Sequence, residues 1–420
     1  MLGSASPAPA RMPLNEELKN TLTLILAGGQ GERLKPLTLR RAKPAVPFGG
    51  AYRIIDFTLS NCIHSGLRRI HLLTQYQARS LEEHVRFGWN FLPRRLSQFI
   101  TVRPPHHQSN EKWYQGTADA IFQNLDTIEE ERPSHVLILS GDHIYKMDYG
   151  RMLREHLIHR AALTIGAVRI PAGDARRFGV FECDARNRVL GFEEKPRVGR
   201  ELPGQPGWCL GSMGIYIFET GELMRRLRED AERGPESSHD FGKDIIPRMI
   251  HEVPVYAHNF VQRGSDDTPY WRDVGTIDAY YDANMDLCSV APEFNLYDSD
   301  WPIYTLWHND PPAKTVFEEE GRRSEVHDSL LCPGTIVSGA SVRRSILSNR
   351  VKVEERAEVE GSIVFGNVVI GKGARVRKTI IDKWCRIPDG FQIGYDRAED
   401  EKRFKVTESG ITVVPAHYEF

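Results

Sequence analysis

The sequence lacks three features that would place it in a common protein class: clustered cysteines, an excess of one charge and a long apolar run. Its six cysteines, at positions 62, 183, 209, 288, 332 and 385, form no Cys-x-x-Cys pair, which argues against a disulfide framework or a structural metal site. Lys and Arg total 55 against 57 for Asp and Glu, so the net charge of -2 gives no general attraction to nucleic acid or an anionic membrane. Any polyanion site must therefore be local.

No apolar run approaches the roughly 20 residues that a membrane helix needs. Residues 1–20 are rich in Ala, Pro and Ser and then charged, with neither the apolar segment of a signal peptide nor an Arg-rich amphipathic pattern. We therefore expect a flexible N-terminal arm in a cytoplasmic protein. With 420 residues, 40% of them apolar and 27% charged, the chain is expected to form two or three globular domains.

Short apolar runs alternate with amphipathic segments between residues 21 and 290. The candidate strands are 22–27, 70–74, 136–139, 163–168 and 215–218, and the candidate helices are 77–87, 118–128, 149–160 and 221–230. This alternation predicts an α/β fold, with a mostly parallel, Rossmann-like sheet covered by helices. A ligand is expected beyond the carboxyl ends of the strands.

The last hundred residues contain a repeat of 17 residues. The blocks ASVRRSIL (340–347), AEVEGSIV (357–364) and ARVRKTII (374–381) each begin 17 residues after the one before. Three apolar columns share this period: Ile336, Val353, Ile370 and Ile387; Val342, Val359, Val376 and Ile393; and Leu347, Val364 and Ile381. Spacings of five and six residues are typical of a β-helix, so residues 321–420 are predicted to form about three coils of a left-handed parallel β-helix. A β-sandwich with chance periodicity is the alternative.

Residues 291–320 separate these two predicted domains. They are rich in Pro, Asp and aromatic residues. This composition predicts a linker that packs against other parts of the protein.

The segment LTLILAGGQGERLKPLT, residues 22–38, joins an apolar run to three glycines and then to basic residues. Glycines allow backbone N–H groups to approach phosphate oxygens closely. The loop is not a Rossmann fingerprint, because Leu34 takes the place of the third glycine, and it lacks the Gly-Lys-Ser/Thr end of a Walker A loop. We interpret it as a phosphate site of another kind, and four cations follow it closely: Arg33, Arg40, Arg41 and Lys43.

With AKPAVPF (42–48), this segment resembles the sugar-nucleotide pyrophosphorylases. More specific motifs are YRIIDFTLSNCIHSGL (52–67), WYQGTADAI (113–121), SGDHIYKMDY (140–149), FEEKP (192–196) and WRDVGTIDAY (271–280). Together they are similar to the bacterial ADP-glucose pyrophosphorylases from residue 21 onward. The resemblance implies Mg²⁺-dependent transfer of AMP from ATP to α-D-glucose 1-phosphate, giving ADP-glucose and pyrophosphate, as the regulated first step of glycogen synthesis.

The implied reaction brings two anions together at the α-phosphorus of ATP, so cations must offset their repulsion. By resemblance, Arg33, Lys43 and Asp142 are catalytic, and Asp142 and Asp273 are the Mg²⁺ ligands. Asp142 directly follows the apolar strand HVLILSG, a place where a carboxylate can hold a metal against phosphate oxygens. Outside such a motif, an Asp at this kind of turn is more often a turn former or a helix cap.

The resemblance also implies the binding residues. Those for glucose 1-phosphate are Tyr114, Gly179, Glu194, Lys195 and Ser212, and those for ATP are Gly28, Gly29, Gln115 and Gly116, the last two facing adenine. Thr117 is expected to cap a helix that starts at Ala118 and leaves free N–H groups near the ligand. The preference for adenine follows from the resemblance alone.

Regulation and assembly are further implications of the resemblance. Arg40, Arg41 and Arg53 occupy positions where the family binds effectors such as glycolytic metabolites, and Lys43 lies between those positions and the ATP site. A homotetramer is expected, with no nucleic-acid or membrane partner. The alternatives are another sugar-1-phosphate nucleotidyltransferase, or a non-catalytic regulatory subunit of the same family.

Overall fold

The computed structural model describes residues 13–104, 113–202, 204–260, 269–319 and 322–420. Of the predicted N-terminal arm, residues 1–12 lie outside this range, and Leu14–Lys19 form a helix, α1, with Leu18 buried in the core. Among the described residues, no helix is both long enough and apolar enough to cross a membrane.

The N-terminal region is built on a large sheet with helices around it. Its strands are β1 (Thr21–Leu26), β2 (Pro47–Phe48), β3 (Tyr52–Arg53), β4 (Arg69–Leu73), β5 (Phe99–Arg103), β6 (His135–Ser140), β7 (His143–Tyr145), β8 (Leu163–Pro171), β9 (Gly179–Cys183), β10 (Val189–Glu194), β11 (Trp208–Glu219), β12 (Val255–Asn259) and β13 (Trp271–Asp273). Its further helices are α2 (Ile54–His64), α3 (Arg79–Gly88), α4 (Thr117–Phe122), α5 (Leu125–Glu131), α6 (Tyr149–His159), α7 (Thr220–Glu232), α8 (Ile246–Glu252) and α9 (Ile277–Asp286).

In the described part of the chain, the main sheet has nine strands, in the order β10-β9-β11-β6-β1-β4-β5, with β8 paired to β11 and β12 paired to β8. Strands β6, β1, β4 and β5 are parallel, whereas β11 is antiparallel to β6. The predicted α/β fold is confirmed, and the apolar run at 136–139 lies in β6, one of its parallel strands. This run is buried on both faces, as is typical of a parallel strand.

One predicted helix, 118–128, is two helices in the structure, α4 and α5. The chain leaves the helical conformation at Asn124, whose buried side chain donates a hydrogen bond to the carbonyl of Ala120 at 2.8 Å. Asn favours such local side-chain bonds over a continuous helix.

The C-terminal region is a stack of short strands that forms the predicted parallel β-helix. The strands are β14 (Lys314–Val316), β15 (Glu325–His327), β16 (Leu330–Leu331), β17 (Ile336–Ser338), β18 (Ser341–Arg343), β19 (Ile346–Leu347), β20 (Lys352–Val353), β21 (Glu358–Glu360), β22 (Ile363–Val364), β23 (Val369–Ile370), β24 (Arg375–Arg377), β25 (Thr379–Ile381), β26 (Arg386–Ile387), β27 (Gln392–Ile393), β28 (Lys405–Val406) and β29 (Thr412–Val414). Three faces each stack five parallel strands, and β28 adds an antiparallel strand to one face.

The predicted number of about three coils was too small. In the described residues, five coils stack on one another, and each is called a level below. The period is visible only in the central levels. The first level, which begins at β14, lies partly in the segment predicted as linker, and the last is interrupted by helix α10 (Arg397–Glu401) before β29. These interruptions remove the regular spacing from the sequence.

One apolar column was misassigned by one residue. Val337, and not Ile336, pairs with Val353 and is fully buried, whereas Ile336 pairs with Lys352 and is partly exposed. The turn from Val337 to Val342 is one residue shorter than the corresponding turn in the next coil, so the 17-residue period fails at this point.

The segment before the β-helix packs on helix α2. Trp301 donates its indole N–H to Asn61 at 2.9 Å, and Thr305 donates its hydroxyl to Asp56 at 2.7 Å. Asp56 is fully buried and also accepts a hydrogen bond from His84 at 2.6 Å. The linker is therefore fixed to the first domain by buried polar contacts as well as by apolar burial.

The two domains share an apolar core. Side chains that follow the glycine loop and those of one β-helix face belong to one buried cluster, which includes Leu34, Leu37, Phe48, Ile54, Ile346, Ile363, Ile380 and Val413. The β-helix thus contacts the segment that carries the predicted phosphate site.

Candidate active site

The glycine loop follows β1 at the carboxyl edge of the sheet. Gly31 has a φ of +63°, and a Cβ atom there would lie 2.9 Å from the Thr38 side chain, so this position requires glycine. No atom lies within 4 Å of the corresponding Cβ position at Gly29. The space beside Gly29 is therefore open, which leaves room for a ligand.

Asp142 and Asp273 meet at the same edge of the sheet. Asp142 follows β6, which is parallel to β1, and Asp273 ends β13, where it pairs with His143 of β7. One oxygen or nitrogen atom from each of Asp142, His143 and Asp273 lies within 4.8 Å of the others. This donor set suits a cation, and its two carboxylates suit a hard divalent ion.

Lys43 joins the two carboxylates. Its Nζ lies 2.8 Å from Asp142 Oδ2 and 3.0 Å from Asp273 Oδ1, and its side chain is only 8% exposed. Ser140 also donates a hydrogen bond to Asp142. The structure therefore brings Lys43, Asp142 and Asp273 together, although they lie far apart in the sequence.

Lys43 and Asp142 hold each other ionised. Burial opposes the charged form of Asp142, but the nearby charge of Lys43, with the hydrogen bonds from Lys43 and Ser140, outweighs it and holds the pKa of Asp142 well below its usual value. Burial would lower the pKa of Lys43, but Asp142 and Asp273 raise it above its ordinary value. Burial lowers the pKa of His143, against the opposing effect of Asp142.

Arg33 reaches the same place from the glycine loop. A Cβ atom on Gly275 would lie 3.1 Å from Arg33 Nη2, 3.2 Å from Lys43 Nζ and 2.8 Å from Asp273 Oδ1. The two cations and one carboxylate thus converge on the backbone of Gly275. Two cations beside a carboxylate pair can attract a polyphosphate together with its metal.

A second group of predicted residues lies on β9, β10 and the turn after it. Gly179 pairs with Glu194 across the two strands, and a Cβ atom on Gly179 would lie 2.9 Å from Glu194 Oε2. Lys195 Nζ lies 2.8 Å from Glu194 Oε1. The Lys195 side chain is 58% exposed, so its ammonium is accessible to a ligand as well as to Glu194.

Residues 240–242 and Tyr216 complete this second group and were not predicted from the sequence. A Cβ atom on Gly242 would lie 2.7 Å from Glu194 Oε2, and Asp240 accepts a hydrogen bond from the Gly242 N–H at 2.9 Å. Burial raises the pKa of the Tyr216 phenol, which bonds to Ser212 and lies near Asp240 and Glu194. Asp240 was the available signal, since an Asp side chain often accepts a hydrogen bond from the backbone N–H two residues later and so forms a structured turn.

The prediction for Thr117 was wrong. Gly116 is the N-cap of α4 and Thr117 its first residue, and the N–H of Ala118 donates to the carbonyl of His239 at 2.9 Å. Thr117 instead donates its hydroxyl to Asp240 at 3.1 Å. The segment around His239 crosses the helix N-terminus and uses the N–H groups that the prediction left for a ligand.

Tyr114, Gln115 and Gly116 lead into α4. Tyr114 donates its N–H to the Gln75 side chain at 3.0 Å, and Gln115 has an exposed side chain. A Cβ atom on Gly116 would lie 2.2 Å from the carbonyl oxygen of His239, so the close crossing requires glycine. Close packing against His239 therefore explains the glycine at position 116 without any ligand.

The predicted effector residues have different surroundings. Arg40 is exposed, whereas Arg41 is 7% exposed and forms two hydrogen bonds to Asp382, at 3.0 and 2.9 Å. Arg53 donates to the Ser80 carbonyl at 2.6 Å, and burial lowers its pKa to about 10. The guanidinium of Arg41 is therefore already occupied by a carboxylate.

Arg53 lines a cavity of about 310 Å³ between the two domains, together with Lys383 of the β-helix. Burial, with the charges of Arg53 and Arg41, lowers the pKa of Lys383 to about 8. Lys383 was not predicted, because it lies 330 residues from Arg53 and only the fold brings them to one cavity.

Comparisons with known proteins give a consistent assignment. Residues 22–290 match the Nucleotidyl transferase family, and residues 311–414 match the GlmU-like, C-terminal hexapeptide family. The chain is 52% identical to the glucose-1-phosphate adenylyltransferase of Dechloromonas aromatica over 95% of this chain and 91% of the relative. It is also 52% identical to that of Koribacter versatilis, over 95% and 96%, and 50% identical to that of Nitrosomonas europaea, over 94% and 92%.

Proposed function

This chain belongs to the glucose-1-phosphate adenylyltransferase family of nucleotidyl transferases, and from this membership we propose the roles of its residues in making ADP-glucose. The reaction joins the adenylyl group of ATP to glucose 1-phosphate and releases pyrophosphate. The observation that carries the assignment of the catalytic centre is the contact of Lys43 with both Asp142 and Asp273.

Asp142 and Asp273 are proposed to hold Mg²⁺. Their carboxylates lie close enough to share one cation. In the structure, the Lys43 ammonium contacts both carboxylates and offsets part of their negative charge. Carboxylate oxygens are the ligands that Mg²⁺ prefers, so the donor set fits this metal. When bound, Mg²⁺ would neutralise phosphate charge at the reacting phosphorus.

Lys43 and Arg33 are proposed to bind the triphosphate and to offset the charge that develops on the leaving pyrophosphate. Both cations converge near Gly275, and the open backbone of Gly29, with Gly28, lies in the same loop. Donors fixed before the reaction stabilise developing charge without a cost of reorganisation. Gln115 and Gly116 are assigned to the adenine side by resemblance.

Glucose 1-phosphate is proposed to bind at the second group of residues. Lys195 suits the sugar phosphate as an accessible cation, and Glu194 can accept hydrogen bonds from sugar hydroxyls. Gly179 permits the close approach of Glu194. Ser212 forms a hydrogen bond with Tyr216, which lies near Glu194. Tyr114 is assigned to the same substrate by resemblance. A phosphate oxygen of the sugar is the nucleophile, so no protein nucleophile is needed.

We propose an effector site in the cavity between the domains, as part of a regulated step of glycogen synthesis. Arg53 and Lys383 line this cavity and suit an anionic metabolite such as a sugar phosphate. Arg40 is exposed and remains a proposed effector residue, whereas Arg41 is paired with Asp382 and needs a rearrangement to bind an effector.

A cytoplasmic homotetramer is also proposed. The six cysteines are all free thiols, which is usual for a protein of a reducing compartment. The number of subunits follows from the family resemblance.

The test of this function is an initial-rate assay with Mg²⁺ and glucose 1-phosphate, in which ATP, dTTP, UTP and GTP are compared by pyrophosphate release. We expect ATP to be preferred. Preference for another triphosphate would replace the adenylyl assignment with another sugar nucleotidyltransferase, and no release with any of them would favour a non-catalytic subunit.

A further inference from the structure

Asp382 of the β-helix is tied to the segment that carries Lys43. Both of its carboxylate oxygens accept hydrogen bonds from Arg41, at 2.9 and 3.0 Å, and Arg41 precedes Lys43 by two residues. The two side chains are 8% and 2% exposed, so this ion pair is buried. A bidentate pair of this kind fixes direction as well as distance.

Asp382 is itself held firmly. It follows β25, its N–H donates to the Val414 carbonyl at 3.0 Å, and one of its carboxylate oxygens accepts the N–H of Lys383 at 2.7 Å. The β-helix therefore presents this carboxylate to Arg41 from a fixed backbone.

Lys43 belongs to the same segment as Arg41 but contacts the carboxylates of the active site. Residues Lys43–Ala45 form one turn of 3₁₀ helix directly after Arg41 and Ala42, and the Lys43 ammonium contacts Asp142 and Asp273. Arg41 thus reaches the β-helix while Lys43 reaches the carboxylate pair. A short, rigid segment anchored at Arg41 limits where Lys43 can place its charge.

We propose that Asp382 is a positioning residue for the reaction and that it acts through Arg41 to place Lys43 at the triphosphate. This inference rests on the proposed function, because it requires Lys43 to bind ATP. It makes the β-helix a part of the active-site framework, since a carboxylate of that domain sets the position of a catalytic cation.

The test is a binding measurement on the full chain with Mg²⁺ and α,β-methylene-ATP, an ATP analogue that cannot release pyrophosphate. Calorimetry gives its Kd for the wild type, for Asp382→Asn, for Lys43→Met and for the double variant. We expect Asp382→Asn to weaken binding about tenfold, the equivalent of losing one hydrogen bond to a charged group. The double variant should bind no more weakly than Lys43→Met alone, because the effect of Asp382 requires Lys43.

Two further variants separate positioning from stability. Removing one partner of a buried ion pair can destabilise a fold, whereas replacing both with apolar residues is often neutral. Arg41→Met with Asp382→Leu should therefore remain folded by thermal melting and still bind the analogue about tenfold more weakly. Tyr281→Phe removes another contact between the domains, the 2.6 Å hydrogen bond to the Gly361 carbonyl, and should leave the Kd unchanged.

The outcomes distinguish this inference from the proposed function. Wild-type binding by Lys43→Met would overturn the role of Lys43 itself. Weak binding by Lys43→Met with wild-type binding by Asp382→Asn, or losses that add in the double variant, would overturn the positioning role and leave the proposed function intact. An equal loss in Tyr281→Phe would also overturn it, because domain contact alone would then explain the effect.

Discussion

Lys43 Nζ lies 2.8 Å from Asp142 Oδ2, although 99 residues separate the two in the sequence. Asp273 is 3.0 Å from the same nitrogen, so one buried cation holds two carboxylates that would otherwise repel each other. This arrangement links the glycine-loop segment to the ends of β6 and β13.

Asp273→Asn should weaken metal binding. The substitution removes one of two negative charges at the proposed site, so we expect the Kd for Mn²⁺, used as a probe for Mg²⁺, to rise about tenfold or more. The signal of free Mn²⁺ in electron paramagnetic resonance measures this without turnover. Asp126→Asn, at an exposed Asp in the first turn of α5, is the matched control. Equal Mn²⁺ affinity in the wild type and Asp273→Asn would contradict the metal assignment.

Gly116→Ala and Gly29→Ala should have opposite consequences. The added Cβ at Gly116 would lie 2.2 Å from a backbone oxygen of His239, so we expect a loss of about 2 kcal/mol or more in the free energy of unfolding. Gly29 has open space, so its variant should keep the wild-type melting temperature and raise KM for ATP. Thermal melting and initial rates check both. A destabilised Gly29→Ala with unchanged KM would show that Gly29 serves packing only.

Arg40→Ala should reduce activation and spare basal turnover. Arg40 is exposed and lies outside the contacts of Lys43 with the carboxylates, so its charge is available for an effector. The measurement is the initial rate with and without a panel of sugar phosphates, pyruvate, AMP and phosphate. Arg95→Ala removes an exposed cation that is not a proposed effector residue and should change neither rate. A parallel loss of basal rate in Arg40→Ala would assign Arg40 to catalysis.

Binding of an anionic effector should weaken as the pH rises through about 8. Burial and the neighbouring charges of Arg53 and Arg41 lower the pKa of Lys383 to about 8, so Lys383 is mostly charged at lower pH and mostly neutral at higher pH. Loss of this charge should reduce effector affinity about tenfold between pH 7 and pH 9. The activation constant, measured over this range, should become nearly independent of pH in Lys383→Met. An equally steep pH dependence in that variant would contradict the role of Lys383.

Local signals in the sequence predicted much of the fold. Each predicted strand exists, and the apolar run at 136–139 is a strand buried on both faces. The number of β-helix levels was underestimated because the first and last levels carry irregular turns. The one-residue error at Ile336 has the same cause, since a shorter turn changes the register without changing the apolar character of the column.

The site was only partly predictable, for a physical reason. Asp142 and Lys195 stand in local motifs, but Asp382 meets Arg41, and Lys383 meets Arg53 at one cavity, only when the β-helix folds against the first domain. The Thr117 prediction failed similarly, because a distant segment at His239 takes the helix N–H groups. Contacts between distant segments leave no periodic signal in a single sequence.

The most direct test of the catalytic centre compares Asp142→Asn with Asp148→Asn. Asp148 lies in the same motif but caps α6 by accepting a hydrogen bond from Gly150 at 2.9 Å, a role that Asn also fills. Formation of ADP-glucose from ATP and glucose 1-phosphate with Mg²⁺ should fall at least about 100-fold in Asp142→Asn, with its melting temperature retained, and stay near wild type in Asp148→Asn. Near wild-type formation of ADP-glucose by Asp142→Asn would contradict the account.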